Sequence, residues 1–292
     1  MLRGEMLNIR NDILLLSQYG FSDELLEKLY EEKEHYLEGI FNKNSSFYNE
    51  NFSLFKEKDK ILAEDYGKLE DFSLVFINKM KDYKSKGVKI IFKYSTDYPS
   101  NLRNTNGRLF LYVLGNKSLI KNTKKVAIVG SRSIDRYSKK LTVDVVKNYI
   151  EKDYVTVSGM ALGTDTIVHK KTIDFGGKTI AVLPTSFEHI YPSENKDIFN
   201  LIINKNGLVV TEYGPFDNTY KSNFLARNTI VAAISSELVV TKARMKSGTL
   251  NTVRKSINMK KPTYYVSGIN ELELENHLIK MGAKKLQWSN KQ

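Results

Sequence analysis

Six short β-branched runs follow one another along the chain: KVAIVG (125–130), YVTVSG (154–159), TIAVLP (179–184), GLVVTEY (207–213), ELVVTKA (237–243) and PTYYVSG (262–268). Between each pair lies a stretch patterned for an amphipathic helix. Strands that are apolar on both faces need cover on both faces, and intervening helices supply it. The expected fold is therefore α/β: a Rossmann-like, doubly wound, mostly parallel sheet. Two earlier runs, VKIIFKY (88–94) and LFLYVLG (109–115), read as further strands joined by the turn-rich STDYPSNLRNTNG. Residues 1–85 are of another kind. They hold no proline, few glycines and many Leu, Tyr, Phe, Glu and Lys residues. Leu25, Leu26, Leu29 and Tyr30 recur at helical spacing, with Ser22 placed to cap their helix. The stretch from Ser53 to Tyr83 continues in the same style. The expected organisation is a small helical domain over 1–85, a Rossmann-like domain over 86–270 and a short tail over 271–292. That tail is too short for a winged helix.

No apolar run approaches the length needed to span a bilayer, and the N-terminus lacks the pattern of a signal peptide. The chain has no cysteine, which removes disulfides, thiolate metal sites and cysteine nucleophiles, and fits a cytoplasmic location. His35, His189 and His277 lack ligand spacing with any carboxylate, so neither a metal nor a cofactor is expected. Trp288 carries no interpretable pattern.

Forty-five Lys and Arg against 33 Asp and Glu give a net charge of +12, which suits a polyanionic partner. The imbalance is local: between Lys221 and Lys261 there are nine basic residues and one acid, Glu237. In a doubly wound sheet, ligands bind beyond the carboxyl ends of the strands, where strand order reverses. Numbering the six runs from KVAIVG, an order of 3-2-1-4-5-6 puts that crevice between KVAIVG and GLVVTEY. The loops there carry Gly130, Ser131 and Arg132, then Ser158 and Gly159, then Lys221, Phe224, Arg227 and Asn228, and finally Lys242, Ser247, Gly248 and Thr249. Glycines permit close backbone approach, and helix N-termini offer free N–H groups to anions. Arg132, Lys221, Arg227, Lys242, Arg244 and Lys246 would supply positive charge, while Arg254, Lys255 and Lys260 suit outer helix faces. Phe224 is either a core ring or a platform on which a base stacks beside phosphate-binding cations.

In order, VAIVGSR, VSGMALGTDTIVH, GGKTIAVLP with IYPSEN, VVTEY, FLARNTIVAAIS, SGTLNT and YYVSG resemble the DprA/Smf family of DNA-processing proteins. The upstream DYPSNL and LYVLG extend the resemblance to roughly residues 95–268. It implies a dimeric, non-enzymatic protein of natural transformation that binds and protects single-stranded DNA and helps load a RecA-type recombinase. By the same resemblance Arg132, Lys221 and Phe224 fall on DNA-contact positions. Leu162 and Thr229 stand where the family usually has basic residues, and Thr164 where it usually has isoleucine.

The alternative is a nucleotide-binding or nucleotide-hydrolysing enzyme on a related fold. Such an enzyme needs a carboxylate beside the loop Ser247–Thr252, which has none. Asp165, Glu212 and His169 remain as acid–base candidates. The expectation for Asp165 is to cap its helix and for His169 to be structural.

Overall fold

A computed structural model of the chain describes residues 8–32, 36–105, 107–268 and 270–287. His35 and Trp288 lie outside the described residues. Helices α1 (Ile9–Tyr19), α2 (Asp23–Glu32), α3 (Tyr36–Phe41), α4 (Ser46–Glu50), α5 (Glu57–Leu62) and α6 (Tyr66–Ser85) come first. They bury Leu15, Leu25, Leu26, Leu29 and Leu69 in one apolar cluster. Ser22 heads α2 through its carbonyl, which accepts from the Leu26 N–H at 3.1 Å. Its hydroxyl does not cap: it donates to the Asp59 carboxylate at 2.7 Å, tying α2 to α5.

The helical cluster closes on the first two strands, β1 (Lys89–Phe92) and β2 (Phe110–Gly115), which flank the short α7 (Ser100–Arg103). Side chains alternate along a strand, so Phe110 and Tyr112 enter the helical cluster while Leu111 and Val113 enter the main sheet core. The remaining strands alternate with helices: β3 (Lys125–Val129), α8 (Arg136–Ile150), β4 (Val155–Ser158), α9 (Thr164–Asp174), β5 (Thr179–Val182), α10 (Lys196–Asn204), β6 (Leu208–Thr211), α11 (Lys221–Ile234), β7 (Glu237–Val240), α12 (Gly248–Asn258) and β8 (Thr263–Tyr265). The segment expected as a short, partly helical tail folds into helix α13 (Leu272–Met281) and adds an edge strand, β9 (Lys284–Lys285). Leu274 and Leu278 of α13 join the main core.

The nine strands of the described residues form one sheet in the order β1-β2-β6-β5-β4-β3-β7-β8-β9. From β6 to β9 every pairing is parallel, whereas β2 runs antiparallel to both β1 and β6. Both faces are covered. On β3, Ala127 and Val129 pack with α11 and α12, while Val126 and Ile128 pack with α8 and α9.

Strand order differs from the expected 3-2-1-4-5-6. GLVVTEY (β6) lies beside β5, three strands from KVAIVG (β3), and the neighbour of β3 is ELVVTKA (β7). The reversal of order therefore falls between β3 and β7. Helix α8 leaves β3 to one face and α12 leaves β7 to the other, which opens a crevice between their loops.

Candidate nucleic-acid interface

Three connections are knitted together at that crevice. The Ser131 N–H donates to the Lys242 carbonyl at 2.6 Å, and the Thr164 N–H donates to the Ser131 carbonyl at 3.1 Å. The Thr249 hydroxyl donates to the Gly130 carbonyl at 3.0 Å. Two glycines make the packing possible. A Cβ on Gly130 would stand 2.4 Å from the Thr164 hydroxyl, and one on Gly159 would stand 1.4 Å from the Arg227 guanidinium.

Helix α11 supplies the fourth wall. It follows β6, yet the chain returns across the carboxyl ends of β5 and β4 to place its first turn at the β3–β7 opening. The result is a cavity of about 300 Å³ lined by Gly130, Ser131, Arg132, Gly159, Lys221, Phe224, Arg227, Asn228, Ser247, Gly248 and Thr249. Eleven of the thirteen site residues expected from sequence thus meet in one place, although the strand order used to place them was different. Two stand apart. Ser158 is fully buried and its hydroxyl donates to the Ile128 carbonyl at 2.8 Å. Lys242 lies outside the lining, 3.8 Å from Asp135. Lys246 is also outside it, whereas Arg244 is a lining residue.

The cations divide into two kinds. Arg132, Lys221 and Arg244 are exposed. Arg227 is only 6% exposed, and its guanidinium donates to the Gly159 carbonyl and, at 3.4 Å, to that of Val182. It braces the floor and does not face solvent. Asp165 lies 3.8 Å from it. Burial raises the Asp165 carboxyl above the usual range, opposed by the Arg227 charge. Asp165 does not cap α9, whose N-cap position is Gly163. It accepts the Ala161 N–H at 3.1 Å and so holds the preceding loop. His169 is fully buried, with Nδ1 2.8 Å from the Thr179 hydroxyl. Burial first, then the Arg227 charge, lowers its pKa to about 3, so the ring is neutral. Glu212 is 5% exposed, outside the cavity, and raised by burial.

Phe224 is half-buried. The Arg132 guanidinium lies over its ring at 5.8 Å from the centroid, and Tyr191 meets it edge-on at 5.4 Å and 87°. The cavity continues past the ring into a recess of about 40 Å³ lined by Arg132, Leu162, Tyr191 and Phe224 among others. Sequence reasoning missed Tyr191 as a site residue, although it lies inside the quoted IYPSEN motif. Below the crevice, the hydroxyls of Thr164, Thr241 and Ser247 have no hydrogen-bond partner among the described residues, and Ser247 opens α12 without capping it. Free hydroxyls, an uncapped helix N-terminus, exposed cations and a ring suit a ligand that carries both phosphate and aromatic parts.

Comparisons with known proteins point to one family. The family model described as DNA recombination-mediator protein A matches residues 89–292. DNA processing protein DprA of Streptococcus pneumoniae is 37% identical over 179 residues, covering 60% of this chain and 62% of that protein. The Bacillus subtilis protein of the same name is 30% identical over 187 residues, covering 64% and 63%. The match thus spans less than two thirds of either relative's length. Among solved structures, the S. pneumoniae protein superposes with a TM-score of 0.68 at 27% identity, covering 94% of this chain and 93% of that one. DNA processing protein A of Helicobacter pylori, solved for its mode of binding single-stranded DNA, superposes at 0.59 and 28% identity, covering 68% and 90%. Matched by that family model over more than half of its length, the chain belongs to the DNA recombination-mediator protein A family.

Proposed function

We propose that the β3–β7 crevice binds single-stranded DNA without strong sequence preference, as part of DNA processing in natural transformation. The observation that carries this reading is the half-buried Phe224 ring set among the exposed cations Arg132, Lys221 and Arg244 at the carboxyl edge of the sheet. Cations hold phosphates, and a ring stacks any base because every base has a π-face. The H. pylori neighbour, solved for its mode of binding single-stranded DNA, supports the same ligand. Gly130, Ser131, Asn228, Ser247, Gly248 and Thr249 shape the cradle, while Ser158, Gly159 and Arg227 support it from below.

The protein acts by binding and not by turnover. Asp165, the acid that lines the cavity, is paired with Arg227, and Glu212 is outside it. Incubation with nucleoside monophosphates should release no base. The working organisation is a helical domain over 1–85, a DNA-binding domain over 86–270 and a terminal segment over 271–292. The setting is the cytoplasm, with a RecA-type recombinase and a second copy of the chain as partners. Among the described residues no helix is long and apolar enough to cross a membrane. The apolar residues late in the sheet and on its last helices do not form an open patch for that second copy: Tyr265 is 5% exposed, and Ile257 and Tyr264 are half-buried.

Titration of a fluorescent oligonucleotide against salt tests the reading. Affinity should fall steeply with ionic strength and be greater for single strands than for duplex. Equal affinity for both forms would overturn it.

A further inference from the structure

The segment between β6 and α11 is anchored at one end only by elements outside the crevice. Its turn is closed by the Asp217 carboxylate, which accepts the Gly214 N–H at 2.7 Å. The same carboxylate accepts from the Gln18 side-chain amide at 2.8 Å and pairs with the Arg108 guanidinium. Gln18, near the end of α1, returns its own carbonyl to the Phe216 N–H at 3.2 Å. Arg108, on the connection into β2, also reaches Asp23 at 3.5 Å and lies 5.8 Å from the Tyr213 ring centroid. The Phe216 ring is inserted against Phe72 of α6 at 4.9 Å. Gly214 leaves no slack, since a Cβ there would stand 2.2 Å from the Gln18 carbonyl oxygen.

From this anchor the chain reaches the crevice in a few residues. The Asn223 amide, in the first turn of α11, donates to the Asn218 carbonyl at 3.3 Å. Thr219 and Tyr220 between them are exposed, and Tyr220 makes no side-chain cap on α11. Lys221 and Phe224 follow at once. The first turn of α11 therefore depends for its position on α1, α6 and the β1–β2 connection.

We propose that Gln18, Arg108 and Asp217 form a latch by which the helical segment positions the first turn of α11 and so sets the affinity of the crevice. This rests on the reading of that crevice as the DNA site, and it gives the helical segment a role in binding that needs no contact between it and DNA. The three are positioning residues: they act through Lys221 and Phe224.

Two variants, with Asp217→Glu as a conservative rescue of the second, test it in the full chain. Gln18→Met keeps the volume and removes both hydrogen bonds to the segment. Asp217→Asn keeps the shape and removes the charge facing Arg108. Hydrogen exchange is read at the amides of 219–224 and, as a control, at those of β3 and β7. Binding is read with a fluorescent single-stranded oligonucleotide. In Gln18→Met, exchange should rise at 219–224 and stay unchanged in the sheet, and affinity should fall about tenfold, equal to about 1.4 kcal/mol. Asp217→Glu should recover part of what Asp217→Asn loses. Unchanged exchange at 219–224 in Gln18→Met overturns the proposal. So does global unfolding of Gln18→Met, because the contact would then hold the whole fold and not α11. If the parent fails to bind DNA, the crevice reading is what falls, and exchange at 219–224 still decides the latch.

Discussion

Lys221, Arg132 and Phe224 occupy one site but contribute by different physics, and substitutions separate them. If the crevice is the DNA site, Lys221→Ala and Arg132→Ala each remove a phosphate contact, and the slope of log affinity against log salt should flatten by about 0.7 for each on a single strand. Phe224→Ala should lower affinity by about 1–3 kcal/mol per stacked base and leave that slope unchanged. Thermal melting of Phe224→Ala is the control. The half-exposed ring should tolerate the change better than a core phenylalanine, whose loss removes about 3–5 kcal/mol. If Phe224→Leu binds like the parent, the stacking role is wrong. His169 offers a test that involves no ligand. Its folded pKa is lowered to about 3, whereas the unfolded ring titrates near about 6.5. The unfolded chain binds more protons between these values, so His169's contribution is full above the higher one and is lost as pH falls toward the lower. The loss approaches about 1.4 kcal/mol per pH unit. Urea midpoints measured at pH 7 and pH 5 should converge for His169→Gln relative to the parent. Residue identity made much of the crevice legible in advance, but not direction. Arg227 lies about 120° around a 3.6-residue helix from Lys221, enough to turn one inward and leave the other in solvent.

Helix α11 illustrates what sequence periodicity shows and what it leaves out. FLARNTIVAAIS reads as a helix, and the β-branched runs read as strands because both faces of each are apolar. Which strand lies beside which is not written in that pattern, since any Val-rich strand satisfies any other. The structure places β6 on the far side of β5, where β2 pairs with it as well. The returning helix is held at its other end too. The Lys261 ammonium donates to the carbonyls of Ala232 and Ala233, each at 2.6 Å, and to that of Ser235. A cation on the last carbonyls of a helix satisfies acceptors that have no partner within it. Lys261→Met should therefore destabilise the fold by about 1–3 kcal/mol, read as a lower denaturant midpoint at unchanged slope. At the β4–α9 loop, Gly159→Ala forces the buried Arg227 guanidinium aside. It should lower stability by about 1–3 kcal/mol, the range for overpacking a tight interior, and weaken DNA binding with it.

For the molecule as a whole, the segment after Gly268 is part of the core and not an appendage. Leu274 and Leu278 are at most 2% exposed, and β9 pairs with β8. Ending the chain at Gly268 should remove about 2–5 kcal/mol for each leucine lost from the interior, and melting of the shortened protein should begin at much lower temperature. The expected dimer is checked by light scattering from low to tens of micromolar protein, where a constant monomer mass would remove it from the proposal. The crevice itself is assembled from residues as far apart in the chain as Val129 and Thr252. Contacts of such long sequence separation form slowly, because loop closure must precede them. The unfolded chain accordingly owns no version of this cavity. Any strand held there binds only completed molecules, and mass action then shifts the unfolding equilibrium toward them by RT ln(1 + [L]/Kd). A melting curve in the presence of oligonucleotide thus doubles as a binding isotherm, with a midpoint that climbs with each increment of ligand.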